Sequence, residues 1–281
     1  LLTLMAILIL NQELPWDRPE LYSQASRVLL HQWDVERALI EDNRLDPTTV
    51  DYKDKQTILR QVAYQMQIKE NELNANLITY SKLEEILRTY LKSIEISQAR
   101  TVAKVMINQL RTRNFILCFL GMEYYAFVHR TFLEFFCAWE FVWQFKEVQT
   151  LSFEELKIEV YGKHYDDDSW QEILRLIAGM IEPIFVKGII EYLAKKSNES
   201  RSFNNLFLAA EIILEVRSRS SLEDSTEKIS EALKMLIKND NLDESKRLEA
   251  FLLLYKICQK SESILQYLKS IACSNSEILA K

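Results

Sequence analysis

Few residues in this 281-residue chain could carry out chemistry, and most of those are isolated from one another. His31, His129 and His164 are its three histidines, too far apart for an H-E-x-x-H zinc helix or any other local metal set. Cys118, Cys137, Cys258 and Cys273 mostly sit inside apolar runs without C-x-x-C spacing, so they read as small buried hydrophobes in a reducing compartment. No glycine precedes Gly121 and the later ones stand alone, which excludes a G-x-x-x-x-G-K phosphate cradle, a G-x-G-x-x-G dinucleotide turn and a nucleophile elbow. Catalytic residues are therefore expected to be absent from this stretch.

Three places could still bind something. His129 stands where a predicted hairpin meets a predicted helix, and the free N–H groups and dipole at a helix N-terminus favour phosphate; a structural histidine fits the same position. His164-Tyr165-Asp166-Asp167-Asp168 could hold a hard cation, but three acids ahead of Ser169-Trp170 more simply complement the start of a helix. Arg100, Lys104, Asn108 and Arg111 recur about one helical turn apart, either as a solvated helix face or as the face that a winged helix lays in a DNA major groove. A formal net charge of −6 makes nucleic acid a poor default partner.

The elements that must position these residues are mainly helices. Only four glycines and four prolines punctuate a chain that is 48% hydrophobic, which favours long helices over a turn-rich sheet. The apolar run Leu1–Leu10 is half of the ~20 residues that a membrane span needs and lacks a basic flank, so it reads as a buried core helix. A start at Leu1 rather than methionine suggests further chain upstream. Asp17 is placed to cap a helix with Pro19 in its first turn and a stripe of Leu21, Ala25, Val28, Leu29 and Trp33. Polar residues around Asp46-Pro47-Thr48 separate it from a second stripe, Ile58, Leu59, Val62, Ala63 and Met66. Ser81-Lys82-Leu83-Glu84 has the capping-box spacing, ahead of Leu83, Ile86, Leu87, Tyr90, Leu91 and Ile94. Another helix is expected from Ser97 towards Leu110.

Phe115–Phe119 and Tyr124–Val128 are aromatic and β-branched and flank Gly121, which predicts one short β-hairpin near residues 114–129. Thr131-Phe132-Leu133-Glu134 offers a second capping box for a helix that is apolar almost all round and must be buried. Two helices followed by a hairpin outline a winged helix. From Asp166 the pattern is helical again, broken near Ser197–Ser200. Phe207–Ile213 and Leu248–Leu254 then share an apolar pattern about 41 residues apart, within the range of HEAT-like helical pairs. The expected fold class is mainly α. We divide it into a helical domain over 1–75, a winged-helix module over 76–148, a helical linker over 149–200 and a HEAT-like region over 201–281.

Two segments carry a family resemblance. Leu1–Leu8 followed by Leu14-Pro15, Arg18, Leu21-Tyr22 and Trp33-Asp34 is similar to the helical stretch after the nucleotide-binding core of NACHT-type signalling NTPases. Tyr125-Ala126-Phe127-Val128-His129-Arg130-Thr131-Phe132-Leu133-Glu134-Phe135-Phe136 resembles the Phe-x-His-x-x-Phe-x-Glu-Phe/Tyr-Phe signature of their winged-helix module. The likeness covers roughly residues 1–195, and the helical tail is looser; bacterial, cyanobacterial-like members continue in a comparable way. The resemblance implies that His129 contacts the β-phosphate of ADP and helps to hold a closed resting state. It also implies an upstream NTPase domain in the same chain, ADP or ATP with Mg²⁺ bound by the full-length protein, and self-oligomerisation after nucleotide exchange in response to a protein trigger. No cofactor is expected for this portion alone. The expected setting is the cytoplasm, without a membrane, in bacterial defence or stress signalling.

Overall fold

The computed structural model describes residues 17–32, 50–68, 76–196, 203–217 and 220–257. The expectations for Leu1–Leu10, for the polar stretch near Pro47 and for Ser197–Ser200 lie outside these residues, as do those for Trp33, Cys258 and Cys273. The chain divides into two compact units, 1–148 and 149–281.

In the first unit, helix α1 (Arg18–Arg27) begins where Asp17 Oδ1 accepts a hydrogen bond from the Glu20 N–H at 2.8 Å. This satisfies one of the amides that an opening helix leaves bare, and Pro19 in the first turn has no N–H to satisfy. A π-helical turn, Val28–Gln32, continues it. Helix α2 (Tyr52–Ile68) is capped reciprocally, since Asp51 Oδ1 accepts from the Asp54 N–H and Asp54 Oδ2 from the Asp51 N–H. Its predicted stripe of Ile58, Leu59, Val62, Ala63 and Met66 is buried. Strand β1 (Ile78–Thr79) leads into helix α3 (Tyr80–Ser93), followed by helix α4 (Ala99–Thr112). Strands β2 (Leu117–Gly121) and β3 (Tyr124–Phe127) form the predicted hairpin, and helix α5 (Arg130–Lys146) leaves it.

The order helix, strand, helix, helix, hairpin is that of a winged helix, with β2 and β3 as the wing. Beyond the expected hairpin, β1 pairs with β3, giving an antiparallel three-stranded sheet in the order β1-β3-β2. Tight turning at Gly121, Met122 and Glu123 puts all three residues at positive φ. The two expected capping boxes are displaced. Thr79, not Ser81, caps α3, with its Oγ1 accepting from the Lys82 N–H. The cap of α5 is His129, not Thr131, because β3 runs through Phe127 and the helix begins at Arg130.

Helix α5 packs against α2, and Phe132, Phe135, Phe136 and Cys137 along it are almost wholly buried. Asn114, fully buried, donates from Nδ2 to the Leu29 carbonyl at 2.8 Å and ties the end of α4 to the π-helical turn. Across the α2–α3 contact, the Tyr90 hydroxyl donates to Asp54 Oδ1 at 2.6 Å. Burial, aided by that acceptor, pushes the Tyr90 pKa up to about 12 from an ordinary 10.0. Between these values the folded state holds a proton that the unfolded state has lost, so stability falls as pH rises. Tyr90→Phe is expected to flatten part of that alkaline loss, measured as urea midpoints from pH 9 to 12; an unchanged slope would contradict this assignment.

The second unit begins with a helical stretch, α6, made of Phe153–Glu155, a π-helical Leu156–Tyr161 and Gly162–His164. Ser152 and Glu155 form a capping box at its start. Helices α7 (Gln171–Met180), α8 (Pro183–Lys195), α9 (Asn204–Glu215), α10 (Glu223–Ile237) and α11 (Glu244–Ile257) follow. Helix α9 touches α7, α8, α10 and α11. It is the centre of the unit, and Leu208, Ala209, Ala210, Ile212 and Ile213 are fully buried. Asn205, also buried, donates to the Leu193 carbonyl near the end of α8, and Arg175 of α7 pairs with Glu211 of α9 at 2.9 Å.

Candidate functional site

The junction of wing and helix fixes His129. At the base of the hairpin the Val128 N–H donates to the Ile116 carbonyl at 2.9 Å, so the strand pairing extends to the residue before the histidine. His129 itself is extended, with φ −122 and ψ 126, and its carbonyl accepts from the Phe132 N–H at 3.0 Å. Its backbone thus opens α5 while its side chain makes no capping hydrogen bond.

The aromatic core beneath holds this corner in place. The Phe127 and Phe136 rings lie 6.1 Å apart, and the His129 ring lies 6.4 Å from that of Phe132. His129 remains exposed, yet desolvation by its apolar surroundings holds its imidazole below the usual histidine range. An imidazole has a ring N–H to donate, which suits a contact with a phosphate oxygen. The first turn of α5 contains no acid that would compete for the helix N-terminus. Instead, Arg130 Nε donates to Glu134 Oε1 at 2.8 Å.

Helix α4 presents Arg100, Lys104 and Asn108 as exposed residues and Arg111 as a half-buried one. Arg100 Nε is tied to Glu84 Oε1 at 2.8 Å, and Arg111 donates to Asn108 Oδ1 at 3.3 Å. The wing beside them has no cation: from Cys118 to Tyr124 its one charged residue is Glu123, and Phe119, Leu120 and Met122 are exposed at its tip. Affinity for duplex DNA is dominated by Lys and Arg on phosphates, and an apolar, acidic wing adds none.

The acidic stretch of the second unit is a turn. Asp167 Oδ1 accepts from the Ser169 N–H, Asp166 Oδ1 from Asn204 Nδ2, and the His164 ring stacks on Trp170 with centroids 3.7 Å apart. Among the described residues, no group of three or more His, Cys, Asp and Glu side chains converges on a metal position. Nor is any described helix long and apolar enough to cross a membrane.

Arg60 was not expected at all. It lies inside the apolar stripe of α2, only 2% exposed, with its guanidinium 5.1 Å from the Trp139 ring and 4.1 Å from the Trp143 ring. Glu140 Oε2 lies 3.8 Å from its Nε. Burial lowers the Arg60 pKa, opposed by the charge of Glu140. A single cation between Ile58-Leu59 and Val62-Ala63 is the sequence signal that could have marked it. It fixes α2 on the helix that His129 opens.

Residues 18–141 match the family model described as a winged helix-turn-helix domain C-terminal to NACHT. That span runs from the start of α1 through most of α5 and includes His129. Among curated proteins and among solved structures, nothing matches.

Proposed function

We propose that this chain is the regulatory and sensing portion of a nucleotide-switched NACHT NTPase, a reading supported by the match of residues 18–141 to the winged helix-turn-helix domain C-terminal to NACHT. In this reading the NTPase domain upstream in the same chain binds ADP or ATP with Mg²⁺ and supplies the catalysis. The winged helix braces against it in the ADP state through His129. Exchange of ADP for ATP removes that brace, and the released module permits self-association. The observation that supports this most is the corner itself, an exposed imidazole with no capping bond at the N-terminus of a buried aromatic helix.

The energetics suit a switch. One hydrogen bond to a charged group contributes on the order of 1.5–3 kcal/mol, enough to bias two packings of similar stability without welding them together. The second unit takes the sensing role in this reading. Its α9 lies against both α7 and α11, and in this reading these helices form a HEAT-like array that offers a surface for a protein trigger.

Amide exchange in the full-length protein tests the proposal. With ADP, the amides of His129 to Phe132 are expected to exchange more slowly than with a non-hydrolysable ATP analogue. Equal exchange in the two states would contradict it. Duplex binding through Arg100, Lys104 and Arg111 has less support, because Arg100 is committed to Glu84 and the wing carries no base.

A further inference from the structure

Two buried polar side chains from distant parts of the chain grip the end of α1, and one of them leads on to the His129 corner. Ser26, fully buried in the last turn of α1, accepts from Gln56 Nε2 of α2 at 3.2 Å. Just beyond it the helix widens into its π-helical turn, where the Leu29 carbonyl accepts from Asn114 Nδ2 at 2.8 Å. Asn114 is fully buried and, among the described residues, its Oδ1 has no hydrogen-bond partner. A buried amide left half satisfied costs stability, so packing alone does not explain an asparagine here. The backbone that follows is constrained as well. Phe115 is held at φ 53, in the left-handed region that bulky side chains avoid. Ile116 then donates to the Leu110 carbonyl and accepts from the N–H of Val128, the residue before His129. Strain of this kind persists only where neighbours over-determine the backbone, and here the bonds of Asn114 and Ile116 do so from either side.

We propose that Asn114 is a positioning residue that couples the register of α1 to the His129 corner. This coupling rests on the reading of His129 above and adds the route by which the corner is released. A π-helical turn holds one residue more than the α-helical ladder needs, and each residue turns a helix by about 100°. When α1 is pulled or rotated from its upstream end, that extra residue is the slack taken up, and the Leu29 carbonyl turns away from Asn114. Phe115 then relaxes from its strained backbone, Ile116 shifts, and the bond to the Val128 N–H that anchors the base of the hairpin weakens. Movement of the upstream domain thus reaches His129 through Leu29, Asn114, Ile116 and Val128, as a change between two discrete arrangements.

Amide hydrogen exchange in the full-length protein with ADP tests the coupling. Asn114→Leu fills nearly the same space and removes both the donor and the unpartnered Oδ1. It is expected to speed exchange of the Val128 and Phe132 amides roughly fivefold, the factor that loss of one neutral hydrogen bond implies. Asn114→Ser, too short to reach the Leu29 carbonyl, is expected to act in the same direction and serves if the leucine is not accommodated. Gln56→Leu cuts the other bond to α1 without touching the connector, and should leave those two amides at wild-type rates. A merely structural role would not separate the Asn114 and Gln56 variants. Unchanged exchange at Val128 in the Asn114 variants, or equal acceleration by Gln56→Leu, would overturn the coupling. ADP release by His129→Ala is measured alongside. Wild-type release there, with Val128 accelerated in Asn114→Leu, would leave the coupling standing and refute the nucleotide contact of His129. Fast release by His129→Ala with an unmoved Val128 would do the reverse.

Discussion

His129→Ala in the full-length protein is expected to speed ADP release by about 10- to 100-fold, the factor that corresponds to losing one hydrogen bond to a charged group. The imidazole makes no capping bond, so its removal takes nothing from the backbone of α5. Its ring lies 6.4 Å from that of Phe132, a peripheral contact at the edge of a core formed by Phe132, Phe135 and Phe136. The thermal midpoint should therefore change little while retention collapses. Stopped-flow release of a labelled ADP, measured beside a melting curve, separates the two effects. A lower midpoint with unchanged release would make His129 a structural residue.

Arg60→Ala is expected to cost the winged-helix unit about 3–5 kcal/mol, because it leaves Glu140 as a buried charge without its partner. Glu140 is 8% exposed, and the guanidinium that faces it also fills the space beside Trp139 and Trp143. Replacing both partners by apolar residues of similar volume, Arg60→Met with Glu140→Leu, should recover most of the loss, since the desolvation cost of two charges disappears with them. Urea unfolding of wild type, Arg60→Met, Glu140→Leu and the double variant gives the coupling directly. Additive losses would show that the two side chains act independently and that the aromatic contacts alone account for Arg60.

These two residues differ in how far they could be read beforehand. His129 belongs to a contiguous signature, and the hairpin and helix that flank it follow from aromatic runs, Gly121 and an all-apolar helix, each a local pattern. Arg60 acquires its meaning from Trp139, Trp143 and Glu140, which lie about eighty residues further along the chain, and no local periodicity links them. The same boundary separates the rest. The stripe of α2 is legible because burial repeats at helical spacing, whereas β1 has two residues, too few for an alternation to register, and exists because β3 offers it an edge.

The displaced caps have a similar origin. Ser81-x-x-Glu84 and Thr131-x-x-Glu134 both satisfy the local rule. At the first, Thr79 caps one step after the Ile78–Tyr125 pairing; at the second, the strand ends at Phe127 and α5 starts at Arg130. Glu134 is thereby released from capping and becomes the partner of Arg130. Likewise, the helical spacing of Arg100, Lys104, Asn108 and Arg111 is read correctly, but the pairing of Arg100 with Glu84 depends on how α3 and α4 pack. Local sequence locates charges on faces; tertiary packing decides which remain available.

In the function proposed here, His129 is the point at which this winged helix touches the nucleotide of the upstream domain. An experimental structure of the full-length protein bound to ADP tests it most directly. An imidazole nitrogen of His129 is expected about 2.7–3.2 Å from a β-phosphate oxygen, the range of a hydrogen bond. A nucleotide whose phosphates are held wholly by other residues, with the His129 ring facing solvent, would contradict it.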